Sequence, residues 1–248
     1  MPGGGVYYMW RSCLLFIKID KIATLTETRT GNGPDLIERA LICEKSGADG
    51  VTVHLREDRQ HIQDRDVFAL KEAIHGQFNL EICLSDEMMD IARKVNPNQV
   101  TIVREKAGEK AGYRESDILK NKKRITDVVK PFHDRNTLVC LCVEPDAETI
   151  ALSKACGADF IEIHTGRYCS AVRQADMDRE LEKIYGAAKH AAKAGIKVSA
   201  GHGLNYQNTL PVLNARALEQ VTIGRSIFSR AVFVGLSKAV EEMLDIVV

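Results

Sequence analysis

The most constraining feature of this chain is an alternation of eight short β-branched, apolar runs with stretches whose apolar residues recur at helical spacing. The runs are LLFIKID (14–20), GVTVHL (50–55), NLEICL (79–84), QVTIVR (99–104), TLVCLCVE (137–144), DFIEIHT (159–165), KVSAGH (197–202) and QVTIGR (220–225). A strand that leads into a helix cannot turn straight back as a hairpin, so successive strands pair in parallel through helical crossovers. Eight such units in about 235 residues suit a closed barrel better than an open doubly wound sheet. Helix ends carry their own signals. One helix opens on Asp35 and stops at Gly47, one is capped by Ser85 and ends before Pro97, one runs from Asp146 to Gly157, and the longest stops at Gly195. The phrase GAD recurs at the end of two helices, as GADG (47–50) and GADF (157–160), each time just before a strand. The expectation is one α/β domain, a (β/α)8 TIM barrel over residues 14–248 with extra helices, preceded by an additional N-terminal segment, residues 1–13.

Composition excludes several classes. Lys and Arg total 34 and Asp and Glu total 34, so the formal charge is zero, which argues against a nucleic-acid binder or a polybasic membrane-surface protein. With 45% hydrophobic and 27% charged residues, disorder is excluded as the main state. No apolar run approaches the roughly 20 residues that span a bilayer, and the N-terminus lacks the long apolar stretch and cleavage site of a signal peptide. Seven scattered cysteines include C-x-C at 140–142 but no paired C-x-x-C, so they read as buried, reduced thiols of a cytoplasmic protein rather than a zinc framework.

In a (β/α)8 barrel the active site lies at the C-terminal strand ends. Those ends are rich in ionisable residues: Asp20 and Lys21, His54 and Arg56, Arg104, Glu144, Glu162 and His164, His202, and Arg225. Glu81 and Glu162 interrupt strands that should be continuously apolar, so each needs a partner or a purpose. His75, His133 and His190 fall on helical patterns and read as surface or core residues, and His164 as a buttress for its neighbour Glu162. Gly201 and Gly203 flank His202, allowing close backbone approach to a ligand. TIGRS (222–226) precedes a helix where barrels commonly hold phosphate, with Arg225 adding a charge-assisted contact. TRTGNGPD (28–35) brings Arg29, and HLREDRQHIQDRD (54–66) brings Arg56 and His61. These residues point to an enzyme acting on phosphorylated small molecules through several proton transfers. No cluster has metal-ligand spacing and no nucleotide-binding glycine motif occurs, so neither a metal nor a cofactor is expected.

GADGVTVHLREDRQHIQDRDV (47–67), NLEICLSDEM (79–88), FIEIHTGRY (160–168), AGHGLNYQN (200–208) and the IDxIATLxxxR pattern (19–29) resemble the signature segments of the pyridoxine 5′-phosphate synthase family. The resemblance spans about residues 14–245. It implies a (β/α)8 barrel, usually a homo-octamer, that condenses 1-deoxy-D-xylulose 5-phosphate with 3-amino-2-oxopropyl phosphate without metal or redox cofactor. It further implies general bases at His54 and Glu81, a general acid at His202, and transition-state stabilisation by Glu162. Substrate contacts would come from Lys18, Asp20, Lys21, Arg29, Arg56, His61, Ala111, Gly203, Gly224 and Arg225.

Three segments depart from the family pattern. The first strand reads Lys18-Ile19-Asp20-Lys21 where the family usually has N-x-D-H, which replaces an amide and an imidazole by two ammonium groups. The last strand carries Gly224-Arg225 in place of Gly-His, and the loop REKAGEKAGYRESD (104–117) lacks the family's threonine pair and double glycine. Two alternatives to synthase activity follow: a barrel enzyme using Lys18 as a Schiff-base amine, and a phosphate-ligand binding barrel without turnover.

Overall fold

Residues i and i+2 of a strand share a face, and in this chain the two faces of each strand carry different chemistry. The computed structural model describes residues 13–21, 36–104 and 112–247. Its strands are β1 (Leu14–Lys18), β2 (Gly50–His54), β3 (Gln77–Cys83), β4 (Gln99–Val103), β5 (Leu138–Val143), β6 (Phe160–His164), β7 (Lys197–Gly201) and β8 (Leu218–Ile223). Each pairs in parallel with its sequence neighbour, and β8 closes on β1 with Leu15 opposite Val221 and Phe16 opposite Thr222. The expected closed barrel is therefore the fold.

Around it run α1 (Leu36–Lys45), α2 (Asp64–Ala73), α3 (Asp86–Val95), α4 (Glu115–His133), α5 (Ala147–Ala155), α6 (Gly166–Ser170), α7 (Gln174–Ala194), α8 (Thr209–Leu213), α9 (Arg225–Val234) and α10 (Leu236–Val247). The short α6 and α8 are extra helices inserted after β6 and β7. Most of the end signals act as read. The Ser85 hydroxyl accepts from the Met88 amide at 3.5 Å, and the Asp146 carboxylate accepts from the Thr149 amide at 2.7 Å. Gly195 closes α7 in the left-handed region at φ 65°. Asp35 lies outside the described residues.

The two GAD phrases do the same work. Gly47 (φ 99°) and Gly157 (φ 90°) take backbone conformations that side chains disfavour. The aspartate two residues on then clasps the preceding strand. Asp49 donates its amide to the Leu15 carbonyl and accepts the Leu15 amide on its carboxylate at 2.9 Å; Asp159 does likewise with Val139, at 2.8 Å.

The apolar core lies between barrel and helices, where Leu15, Ile17, Val51, Val53, Leu80, Ile82, Val139, Leu141, Ile161, Ile163, Val221 and Ile223 are fully or almost fully buried. The lumen is polar above an aromatic floor. Phe16 fills the space beside Gly50, whose absent Cβ would stand 2.5 Å from the ring, and Phe160 takes the same strand face as Glu162. Above them Asn79 links Thr52 (3.3 Å) and Thr101 (2.9 Å). Several boundaries differ from expectation. β1 ends at Lys18, with Asp20 and Lys21 already in a helical turn, β3 and β8 each begin two residues early, at Gln77 and Leu218, and β8 ends at Ile223. Among the described residues no helix is long and apolar enough to cross a membrane.

Candidate active site

The C-terminal half of the lumen is a well of about 390 Å³ whose lining includes Lys18, Asp20, Glu81, Glu162 and His202. Its chemistry divides into two sides.

On the β1–β3 side, Lys18 reaches across to the Glu81 carboxylate, to which it is hydrogen-bonded, and stands 3.6 Å from Asp20. Glu81 is 1% exposed. Burial by itself would push the Lys18 ammonium toward deprotonation, but Glu81 and Asp20 overcome it and hold its pKa above the ordinary lysine value. Burial likewise opposes ionisation of Glu81, yet Lys18, with His54 and His202, draws its pKa well below the usual carboxylate range. Asp20 is pushed up by burial, against the pull of Lys18 and with the repulsion of Glu81. The Asp20 carboxylate also accepts the His54 backbone amide at 2.8 Å, fixing the end of β2, while the His54 ring Nδ1 lies 3.9 Å from Glu81.

On the β5–β7 side, Glu162 (1% exposed) faces His202, with Oε1 3.2 Å from the ring Nε2, and accepts from the Ser199 hydroxyl at 3.4 Å. The Cys142 sulfur stands 3.6 Å from the same His202 nitrogen. His202 sits at φ 75°, a left-handed conformation held from outside: Thr165 Oγ1 lies 2.7 and 2.8 Å from the Gly201 and His202 carbonyls. The His164 ring packs on the His202 ring, centroids 4.5 Å apart. Behind it, Glu144 lies 3.6 Å from His164 and 3.1 Å from Arg167. Gly201 leaves room for Glu162, since a Cβ there would come within 3.0 Å of its carboxylate.

Of the residues expected at a site, the structure brings Lys18, Asp20, Lys21, Glu81, Glu162, His202, Gly203, Gly224 and Arg225 onto the well, with His54 beside Glu81. Gly224 precedes α9, whose N-terminus, with Arg225 and Ser226, forms part of the rim. Arg56 and His61 stand off the well wall, Arg56 holding Asp58 in its own loop through two bonds of 2.9 and 2.8 Å. Arg29 and Ala111 lie outside the described residues. Cys142, Thr222 and Asn205 were not singled out as site residues. Cys142 sat inside an apolar run, but its two-residue spacing from Cys140 puts both thiols on the lumen face, opposite to Leu141.

With this geometry established, the chain can be compared with known proteins. The sequence profile of the family described as "Pyridoxal phosphate biosynthesis protein PdxJ" matches residues 15–248. A pyridoxine 5′-phosphate synthase of Pelobacter propionicus is 42% identical over 233 residues, covering 94% of this chain and 98% of that protein. One of Magnetococcus marinus is 43% identical over 230 residues, covering 93% and 95%. A chain of a cube-shaped, highly porous cage designed by fusing symmetric oligomeric domains superimposes with a TM-score of 0.63 at 12% identity, covering 96% of this chain and 72% of that one. That likeness concerns the fold alone. The family match over nearly the whole barrel and these relatives show that the chain belongs to the PdxJ family of pyridoxal phosphate biosynthesis proteins.

Proposed function

We propose that the chain is a pyridoxine 5′-phosphate synthase, condensing 1-deoxy-D-xylulose 5-phosphate with 3-amino-2-oxopropyl phosphate into pyridoxine 5′-phosphate, with release of phosphate and water. The observation that carries the reading is the convergence of His54, Glu81, Glu162 and His202, from four different strands or strand ends, on one well. Ring closure between carbonyl and amine substrates requires protons to be taken and returned several times, which two imidazoles and two carboxylates can do. In this reading His54 and Glu81 are bases, His202 is the acid that protonates a leaving oxygen, and Glu162 stabilises the transition state. The amides at the start of α9 with Gly224, Arg225 and Lys21 suit one phosphate, and Gly203 the backbone beside it. Arg56 and His61, on the loop after β2, suit the other, with Arg29 and Ala111 completing the contacts.

The Lys18–Glu81 ion pair weighs against the Schiff-base alternative, because an ammonium has no lone pair with which to attack a carbonyl. A homo-octamer in the cytoplasm completes the reading. Val232 and Phe233, 80% and 84% exposed, are apolar surface that assembly would cover, and the seven cysteines are all free thiols. Residues 1–13 stay in this reading as an additional N-terminal segment. The test is direct: purified protein with both substrates at saturation, followed for pyridoxine 5′-phosphate, with borohydride added in parallel. Product should accumulate and Lys18 should remain unmodified; folded protein that makes no product ends the proposal.

A further inference from the structure

The β5–β7 side of the well holds three donor atoms in an arrangement that acid–base catalysis does not need. Cys142 Sγ, a Glu162 carboxylate oxygen and a His202 ring nitrogen lie within 4.8 Å of one another. The His202 nitrogen is 3.2 Å from Glu162 and 3.6 Å from Cys142. Tetrahedral zinc, with bonds of about 2.0–2.1 Å to nitrogen and oxygen and 2.3 Å to sulfur, sets its ligand atoms roughly 3.3–3.6 Å apart. Both distances from His202 are thus close to those of a ligand set.

An independent observation points the same way. Among the described residues, Glu162 Oε1 accepts no hydrogen bond although the side chain is 1% exposed, and a buried carboxylate oxygen left so is costly. It stands 3.2 Å from the His202 ring nitrogen, an ion-pair contact when that ring carries a proton. Charge favours a cation at depth, where Asp20, Glu81 and Glu162 face one ammonium, Lys18, while Lys21 and Arg225 belong to the rim. Glu162 and His202 line the well, so an ion held by them would be reached from it.

We propose that Cys142, Glu162 and His202 form a binding site for a borderline divalent cation of the Zn²⁺ class, and that its occupation inhibits the enzyme by tying up His202 and Glu162. A thiolate, an imidazole and one carboxylate select zinc or cobalt over magnesium and calcium, which require oxygen ligands. Binding exchanges the Cys142 thiol proton for the metal: the S–H bond breaks, the S–metal bond forms, and the proton goes to solvent. Cation binding stands on geometry alone; the inhibitory consequence rests on the catalytic reading of His202 and Glu162.

The experiment uses chelator-treated full-length enzyme titrated with Co²⁺, followed by the thiolate-to-cobalt charge-transfer band. Native protein should develop the band to one metal per chain, and Zn²⁺ should bleach it while Mg²⁺ does not. Cys142→Ala should lose the band, since losing a direct ligand costs at least the roughly 10–100-fold in affinity that an outer-shell partner is worth. Cys142→Ser, closer in shape, serves if the alanine variant does not fold. No band in the native protein, or a band that survives in the folded variant, overturns the site. Inhibition is read as the ratio of turnover with and without stoichiometric Zn²⁺ within each variant. That ratio should fall roughly tenfold or more in the native enzyme, recover with chelator, and stay near unity for Cys142→Ala. Cobalt binding with undiminished turnover in zinc would keep the site and remove the catalytic role of His202 and Glu162.

Discussion

Glu81 and Glu162 occupy equivalent depths on opposite sides of one well, each 1% exposed, yet their surroundings differ. Glu81 carries a lysine ammonium on its carboxylate; Glu162 faces a hydroxyl, a thiol and an imidazole. The first side is held in one charge state by a fixed counter-ion. On the second, a ring nitrogen 3.2 Å away stands where that counter-ion would be. A barrel can thus hold one buried carboxylate in a fixed ion pair and leave the other facing an imidazole within one small volume by choosing which strand supplies the cation.

The largest expected effects test whether both sides serve turnover. His54→Asn, Glu81→Gln, Glu162→Gln and His202→Asn should each lower kcat by ~100-fold or more in a synthase assay. Near-native rates for either member of one side would return that side to a structural role.

Stability should separate the two sides next. Lys18→Met strands Glu81 without its counter-ion and should cost about 3–5 kcal/mol at neutral pH in urea unfolding. Glu162→Gln, which removes no fixed ion pair, should cost about 1 kcal/mol. The signs with pH follow from the shifts. Glu81 is held below its ordinary value of 4.5, so its contribution is complete above that pH and fades as acid reaches the lowered value. Lys18 is held above 10.5, so its contribution is complete below that pH and is lost as the solution passes the raised value. In Lys18→Met burial acts on Glu81 without that opposition, so the deficit relative to the native protein should shrink on acidification from pH ~7 to ~4. A deficit independent of pH would mean that Lys18 acts by packing alone.

Smaller effects probe the scaffold beneath. Gly224→Ala would set a Cβ 2.5 Å from the Lys18 carbonyl oxygen, and should cost about 2 kcal/mol and raise KM, because the β8–β1 junction must part. Smallest of all, Asp49→Asn and Asp159→Asn keep an accepting oxygen for Leu15 and Val139, and each should cost about 0.5–1 kcal/mol in thermal unfolding. Unequal losses would show that the two GAD clasps are not equivalent.

Much of this was legible from residue pattern because strand periodicity and helix end signals are local. The two in-strand glutamates stood out since an apolar strand has no use for a lone carboxylate. The pairings were not legible. Lys18 and Glu81 are 63 residues apart and Cys142 and His202 are 60 apart, and only barrel register brings them together. The Cys142, Glu162 and His202 cluster was therefore invisible along the chain, for its members come from three successive strands and the turn after the last. The pairing of Arg56 with a neighbouring aspartate in its own loop was not legible either.

The aromatic floor has a kinetic consequence. Phe16, seated against Gly50, and Phe160 are buried on the lumen face toward the N-terminal ends of β1 and β6, away from the well. In a well entered from its C-terminal mouth alone, the reactant seated deeper has to arrive first. The steady-state rate law should be a compulsory-order sequential one, with intersecting double-reciprocal lines and a final product that competes with the leading substrate only.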